Sequence, residues 1–199
     1  MFIISAPSGA GKTTLCRGLL SSVRNIQESV SYTSRSPREG EVDGRDYSFV
    51  SAAVFREMMA RGEFVEWAEV HGNLYGTSSR RLSEMLDGGT DVLLDIDTQG
   101  ADQIRKTFRG GVFIFVLPPS LEILRRRIED RGSNTREDME RRLMRAADEI
   151  RDFSLYDYVI VNDQLETALE QLTAIITAER LRVRETDAAW IRRTFLGTE

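Results

Sequence analysis

Four short runs of apolar residues recur along the chain, and none of them contains a charged side chain. They cover residues 1–4, 92–94, 112–117 and 158–161. The apolar positions are continuous rather than alternating, which is typical of parallel strands that helices cover on both faces. We therefore predict that these runs are buried strands of one parallel sheet.

Between these runs the apolar positions take a helical period, which predicts helices over 12–23, 121–129, 135–152 and 165–184. The third helix begins with a capping pattern at Thr135 and Asp138. The apolar stripes of the last two helices are Met139, Leu143, Ala146 and Ile150, and Leu165, Leu169, Leu172 and Ile176. Alternation of strands and helices predicts an α/β fold with right-handed crossovers.

The segment 32–81 breaks this alternation, and we call it the insertion. Its short strand-like pieces, separated by glycines, cover 47–50, 64–70 and 73–77. Strand periodicity in the second piece puts Glu66 and Trp67 on opposite faces. We predict a small, more antiparallel unit on a core made of 1–31, 82–120 and 152–199.

The composition narrows the class of protein. Of 199 residues, 41% are hydrophobic and 30% are charged, which excludes a disordered chain and fits one globular domain or a core with insertions. The single cysteine, Cys16, rules out an intrachain disulfide, and the single histidine, His71, argues against metal–histidine chemistry. We expect Cys16 in the core and His71 in loop packing, neither of them in catalysis.

Charge and hydropathy bear on location and partners. The net charge of −5 offers no basic excess for binding duplex nucleic acid. No apolar run approaches the ~18 residues of a membrane span, and the beginning of the chain shows no signal-peptide pattern. We expect a soluble cytoplasmic protein with no nucleic-acid or membrane partner, and the sequence leaves a homo-oligomer open.

A glycine-rich loop between the first strand and the first helix carries the clearest chemistry. It matches the phosphate-binding pattern G-x-x-x-x-G-K-[ST] except at its first position, and its residues are Ala6, Pro7, Ser8, Gly9, Ala10, Gly11, Lys12, Thr13 and Thr14. Backbone N–H groups around Gly9 and Gly11 can converge on phosphate oxygens at a helix N-terminus. Lys12 supplies a cation for the β- and γ-phosphates, and Thr13 can bind Mg²⁺. This P-loop predicts a nucleoside triphosphate site.

The insertion indicates a second anion site. Arg35 and Arg38 lie on a loop that Pro37 keeps non-helical, and Tyr47 and Tyr75 follow. A guanidinium group binds phosphate bidentately, and a phenol donates a hydrogen bond without adding charge. Together with the P-loop, these residues predict an acceptor substrate that carries its own phosphate.

Over about residues 2–184 the chain resembles the guanylate kinase family. The resembling segments are 31–47 (S-x-x-S-R-S-P-R-x-G-E-x-D-G-R-D-Y), 64–67, 72–77, 94–100 and 159–163. Ala6 replaces the first P-loop glycine, and Thr77 stands where serine is common. The resemblance implies a P-loop kinase core with a parallel β-sheet flanked by helices, a GMP-binding insertion at 32–81 and a helical lid region at 121–151. It also implies transfer of the γ-phosphoryl group of ATP to GMP, with Mg²⁺.

The resemblance assigns Arg35, Arg38, Tyr47 and Tyr75 to the GMP phosphate, with Ser31 nearby, and Glu66, Thr77 and Asp97 to guanine. Hydrogen-bond chemistry agrees with the guanine residues. Guanine presents N1–H and N2–H₂ donors, which carboxylates accept, and the Thr77 hydroxyl can donate to O6.

Two aspartates end the strand over 92–94, and ligands of open α/β sheets bind at the carboxyl ends of strands. We assign Asp95 to Mg²⁺ and Asp97 to guanine, although the sequence leaves the two interchangeable. Asn162, just past the last strand, is assigned either to adenine or to a turn.

The lid region is rich in arginine, and the family likeness favours Arg127, Arg131 and Arg142 as catalytic residues beside Lys12 and Arg38. Arg127 and Arg131 share one helical face. Arginines there can stabilise the charge on the transferring phosphoryl group. Their neighbours are expected to be solvated: Arg125, Arg126 and Arg141.

Two alternatives stay open at this point. A kinase for another phosphorylated acceptor would share the P-loop and the arginines, but Glu66 with Thr77 argues for guanine. A non-catalytic guanylate-kinase-like module that binds protein ligands would be expected to lack the P-loop lysine or the lid arginines.

Overall fold

The computed structural model describes residues 1–70, 72–108, 110–129, 136–182 and 188–197. Its strands are β1 (Phe2–Ser5), β2 (Ile26–Glu28), β3 (Tyr32–Thr33), β4 (Ser48–Phe49), β5 (Phe64–Val70), β6 (Asn73–Ser78), β7 (Asp91–Asp95), β8 (Val112–Leu117) and β9 (Tyr158–Val161). Its helices are α1 (Lys12–Ser22), α2 (Ala52–Ala60), α3 (Ser79–Asp87), α4 (Thr98–Thr107), α5 (Leu121–Glu129), α6 (Arg136–Arg151), α7 (Leu165–Arg180) and the short α8 (Ala188–Ile191).

The larger sheet has the strand order β2-β7-β1-β8-β9, and all its neighbouring strands are parallel. All carboxyl ends therefore lie along one edge. The P-loop leaves β1 at this edge, and Asp95 at the end of β7 pairs in register with Ile4 of β1. The topology thus places the P-loop and the two aspartates side by side.

Helices cover both faces of this sheet, as the continuous apolar runs predict. Phe2 and Ile4 join a buried cluster with Leu15 of α1 and Leu172 of α7. Ile3, which lies between them, joins a different cluster with α3 and α4. Consecutive residues of β1 are thus buried in opposite layers, which explains why the strand has no polar face.

The smaller sheet has the order β4-β3-β6-β5 and lies within the insertion. Strands β3 and β5 both run antiparallel to β6, and β3 runs parallel to β4. Phe55 of α2 stacks on Phe64 of β5, with ring centroids 4.5 Å apart. This apolar contact joins α2 to the smaller sheet. The expectation of a smaller, more antiparallel arrangement agrees with this sheet.

The predicted α/β class is confirmed, and the predicted bounds of β8 and β9 agree with the structure. The prediction that the run 158–161 is buried is wrong, because β9 lies at the edge of the sheet with Val159 and Val161 exposed. Cys16 is buried in the core, at 1% exposure. The stripe assigned to the last helix is wrong at Leu165, which is exposed, because Ala168, Leu172 and Ile176 form the buried row at intervals of four. Strands β2 and β3 escape a pattern search because they contain only three and two residues. His71 and Thr135 lie outside the described residues.

None of the helices in the described part of the chain is both long enough and apolar enough to cross a membrane.

Candidate active site

The P-loop backbone depends on two glycines in the left-handed region. Gly9 has φ 96° and Gly11 has φ 92°, values that side chains with a Cβ rarely adopt. A Cβ at Gly9 would lie 2.9 Å from Leu124 Cδ1 of α5, and one at Gly11 would collide with the Asn162 side chain. Helix α1 then begins at Lys12 with its N-terminus directed into the loop. The result is an anion-binding turn of backbone N–H groups.

Lys12 lies beside the aspartate assigned to the metal. Its Nζ is 2.5 Å from Asp95 Oδ1 and donates to the Ile96 carbonyl at 2.6 Å. Burial by itself lowers the pKa of Lys12, but the charge and hydrogen bond of Asp95 outweigh burial, so the pKa is raised above its ordinary value. The ammonium group is therefore kept charged at the mouth of the P-loop, as phosphate binding requires.

Two side chains from later elements hold the P-loop in shape. The buried Asn162 donates from Nδ2 to the Ala10 carbonyl at 2.8 Å. Arg127 of α5 donates to the Asn162 carbonyl at 3.0 Å and reaches the Ala10 carbonyl at 3.4 Å. Arg127 thus lies at the P-loop, and Asn162 supports the loop. The contact of Asn162 with adenine stays a prediction.

The residues assigned to the acceptor phosphate cluster around one carboxylate. Arg35 donates to both oxygens of Glu41, at 2.8 and 3.0 Å, and the same Glu41 accepts the Arg38 backbone N–H at 2.7 Å. The Arg35 guanidinium carbon lies 5.4 Å from the Tyr47 ring centroid. The Tyr47 and Tyr75 rings meet edge to face at 5.9 Å. The structure therefore brings these arginine and tyrosine residues onto one surface.

The residues assigned to guanine begin with a cross-strand pair. Glu66 of β5 and Thr77 of β6 are opposite in register, 3% and 0% exposed, and Thr77 Oγ1 donates to Glu66 Oε1 at 2.5 Å. Burial raises the pKa of Glu66 to about 7, and the nearby charge of Asp97 adds to this effect, while the Thr77 hydrogen bond opposes it. Trp67, the next residue, is 41% exposed on the other face.

The Glu66 carboxylate packs against helix α4. A Cβ on Gly100 would lie 3.0 Å from Glu66 Cδ and closer still to Oε2, so the carboxylate packs directly on this glycine. Gln103, one turn further on, donates to the Trp67 carbonyl at 2.7 Å and accepts the Trp67 N–H at 3.2 Å. Strand β5 of the insertion is thereby fixed to a helix of the core.

Asp97 forms the N-cap of the same helix. Its Oδ1 accepts the Gly100 N–H at 2.9 Å, and its Oδ2 accepts Gln99 Nε2 at 3.0 Å. Arg145 of α6 brings Nη2 to 3.5 Å from Oδ2. The two carboxylates assigned to guanine, Asp97 and Glu66, therefore meet at the first turn of α4.

The remaining predicted residues are less constrained. Thr13 and Thr14 are exposed at the start of α1, Ser31 is half-buried before β3, and Arg38 is exposed. Arg142 is half-buried on α6, and Arg131 lies outside the described residues. Their roles stay predictions.

Sequence reasoning missed three residues that shape this site: Glu41, Gly100 and Arg145. Glu41 and Gly100 belong to segments that carry the family resemblance, but the resemblance alone does not indicate what these two residues contact. Arg145 had no signal, because one arginine among many on a charged helix looks like a solvated side chain.

Comparison with known proteins agrees with this geometry. The family model described as guanylate kinase matches residues 1–179. A guanylate kinase of Geobacter metallireducens is 54% identical over 92% of this chain and 90% of its own, and one of Dechloromonas aromatica is 51% identical over 91% and 90%. A crystal structure of guanylate kinase from Anaplasma phagocytophilum superposes with a TM-score of 0.82 at 36% identity, over 100% of this chain and 96% of that one.

A parallel sheet with a P-loop at its carboxyl edge, beside a second, smaller sheet, agrees with the class that the relatives define, the P-loop kinases of nucleoside monophosphates. Within that class, the chain belongs to the guanylate kinase family.

Proposed function

We propose that the chain transfers the γ-phosphoryl group of ATP to GMP, with ATP on the P-loop and GMP between the insertion and α4. The observation that carries this proposal is the buried pair Glu66–Thr77, which meets Asp97 at the N-terminus of α4. These groups place two carboxylate acceptors and one hydroxyl together at the first turn of α4. Residues 32–81 are proposed as the GMP-binding unit, 121–151 as the lid region and the rest as the core.

Base selectivity follows from hydrogen-bond complementarity. Guanine N1–H and N2–H₂ would donate to Glu66 and Asp97, and the Thr77 hydroxyl would turn from Glu66 toward O6. Adenine lacks the 2-amino group and carries an amino donor in place of O6, so buried acceptors would stay unpaired. Sites built on hydrogen bonds reject such analogues by about 10⁴-fold or more.

Charge neutralisation dominates phosphoryl transfer, because the acceptor phosphate is already an anionic nucleophile and needs no general base. Lys12 would bind the β- and γ-phosphates, and Arg127, Arg131 and Arg142 would act on the transferring group. Arg35, Arg38, Tyr47 and Tyr75 would hold the GMP phosphate, with Ser31 beside them. The proposed role of Arg131 is based on the sequence alone.

Mg²⁺ is proposed as the cofactor that arrives with ATP. The Thr13 hydroxyl and the Asp95 carboxylate are hard oxygen donors beside the P-loop, which suits an ion that keeps waters and substrate phosphates as its other ligands. In the described part of the chain no cluster of three acidic, histidine or cysteine side chains could hold a metal alone. When bound, the ion would neutralise charge on the β- and γ-phosphate oxygens. A cytoplasmic location stays a prediction.

A coupled kinase assay with ATP, Mg²⁺ and each of GMP, AMP, CMP and UMP tests the proposal. GMP is expected to exceed AMP in kcat/KM by about 10⁴. Glu66→Ala should reduce this ratio by weakening GMP, whereas Arg38→Ala should weaken every monophosphate alike. Trp67→Ala is the matched control, since it changes the neighbouring side chain on the outer face of the same strand. Equal rates with AMP and GMP in the wild type would contradict the proposal.

A further inference from the structure

Arg145 brings a positive charge into contact with Asp97, a carboxylate that we assign to guanine. It lies on α6, outside the segments that carry the family resemblance, and its side chain is 36% exposed. Its guanidinium group contacts two carboxylates at once: Nη2 is 3.5 Å from Asp97 Oδ2, and Nε donates to Glu149 Oε1 at 3.0 Å. The Arg145 guanidinium group thus pairs both with Asp97, which we assign to guanine, and with Glu149 of its own helix.

The oxygens of Asp97 are already engaged. Oδ1 caps α4 through the Gly100 N–H, and Oδ2 accepts from Gln99 at 3.0 Å as well as facing Arg145. A carboxylate oxygen has about two lone-pair positions, so a guanine N–H can reach Oδ2 only by replacing one of these partners. Arg145 is the longer and looser of the two contacts.

The alternative partner of Arg145 makes this replacement easy. Glu149 is one helical turn away on α6, its side chain is 13% exposed, and it holds Arg145 by the shorter contact. If Arg145 leaves Asp97, its charge stays paired with Glu149. The guanidinium group therefore has two arrangements, one paired with both Asp97 and Glu149 and one paired with Glu149 alone. Whether a guanine N–H occupies Asp97 Oδ2 decides between them.

We propose that Arg145 is a positioning residue that competes with guanine for Asp97 Oδ2 and transfers to Glu149 alone when GMP binds. This inference depends on the proposed function, because it takes Asp97 as a guanine acceptor. Arg142, assigned to phosphoryl transfer, lies three residues earlier on α6. Guanine binding at Asp97 would therefore also remove the Asp97 ion pair from the helix that carries Arg142, while the apolar packing of that helix on α5 stays.

Two single variants are expected to shift GMP affinity in opposite directions. Arg145→Gln removes the competing cation, so GMP should bind about 2- to 5-fold more tightly, the range that a partly exposed ion pair supports. Glu149→Gln removes the alternative partner and leaves Arg145 on Asp97, so GMP should bind more weakly by a similar factor of about 2 to 5. In the double variant, the Glu149→Gln effect should vanish because no cation remains to compete.

Isothermal titration calorimetry of the full chain with GMP alone measures these constants. A non-hydrolysable ATP analogue serves as the control ligand, and its affinity should not change in any of the variants. A merely structural role for Arg145 would give weaker GMP binding in both single variants, and that result would overturn the proposal, as would an unchanged Kd in Arg145→Gln. If the wild type instead binds AMP as well as GMP, the proposed function fails, which is a separate outcome.

Discussion

At the residue scale, the unusual feature of this site is a buried carboxyl group that titrates near neutrality. Burial raises the pKa of Glu66 to about 7, above an ordinary value of 4.5. The folded protein therefore binds this proton more tightly than the unfolded chain does. Stability from this group is fully present below about pH 4.5 and is lost as the pH rises through the folded value near 7.

The resulting prediction concerns stability against pH. Between pH 5 and pH 8, Glu66→Gln should gain stability relative to the wild type, on the order of 2–3 kcal/mol for a pKa difference of this size. Urea unfolding of both proteins at several pH values measures the difference. Comparing the two proteins also cancels the contribution of Glu28, whose pKa burial likewise raises to about 7. Parallel pH profiles would show that Glu66 is ionised in the folded state throughout.

At the element scale, the first two turns of α4 carry three contacts that shape the site. Asp97 caps the helix, Gly100 makes room for the Glu66 carboxylate, and Gln103 ties the helix to β5. The contacts of Gly100 and Gln103 join this helix to strand β5 of the insertion. The residues that we assign to guanine therefore lie where strand β5 of the smaller sheet packs on helix α4, which covers the larger sheet.

Gly100→Ala tests this junction. Alanine favours a helix over glycine by up to about 1 kcal/mol, but the clash of its methyl group with the buried Glu66 carboxylate offsets this gain. The new methyl group would push against Glu66 Cδ, 3.0 Å from the ideal Cβ, and displace the carboxylate. We expect kcat/KM for GMP to fall by about 10-fold or more, since misplacing a binding group by about 1 Å costs up to 10²-fold.

The matched control is Gly18→Ala, which makes the same substitution within α1, away from the guanine pocket, where the new methyl group meets the flexible Leu169 side chain. It should leave GMP kinetics unchanged. Normal GMP kinetics in Gly100→Ala would mean that the Glu66 carboxylate tolerates displacement. The packing of Glu66 on Gly100 would then not be needed for GMP binding.

At the scale of the whole molecule, the residues assigned to the two substrates lie in different parts of the chain. Most residues assigned to GMP belong to the insertion, and most residues assigned to ATP belong to the P-loop. Their phosphates have to meet with water excluded, so the insertion and the lid region are expected to close over them.

Small-angle X-ray scattering tests this closure. GMP together with a non-hydrolysable ATP analogue should reduce the radius of gyration toward the ~16 Å expected of a compact chain of this length. AMP in place of GMP is the control and should give no such reduction. An unchanged radius with both substrates would contradict closure.

The sequence alone determined the features that depend on neighbouring residues. The strands β1, β7 and β8 were predictable because burial on both faces leaves a continuous apolar run. The edge strand β9 has the same kind of run although Val159 and Val161 are exposed. The P-loop was predictable because a tight phosphate-binding turn needs glycines at fixed spacing. The family resemblance supplied the assignments of Glu66, Thr77 and Asp97. Strand alternation likewise predicted that Glu66 and Trp67 face opposite ways, and the structure confirms it.

Only the tertiary structure decided which side chains meet. Asn162 reaches Ala10 across 152 positions, Gly100 lies under Glu66, and Arg145 divides its charge between Asp97 and Glu149. Such partners depend on the order of strands in the sheet and on how the insertion packs against α4. Local periodicity indicates neither, because contacts between distant segments form only when tertiary packing brings those segments together.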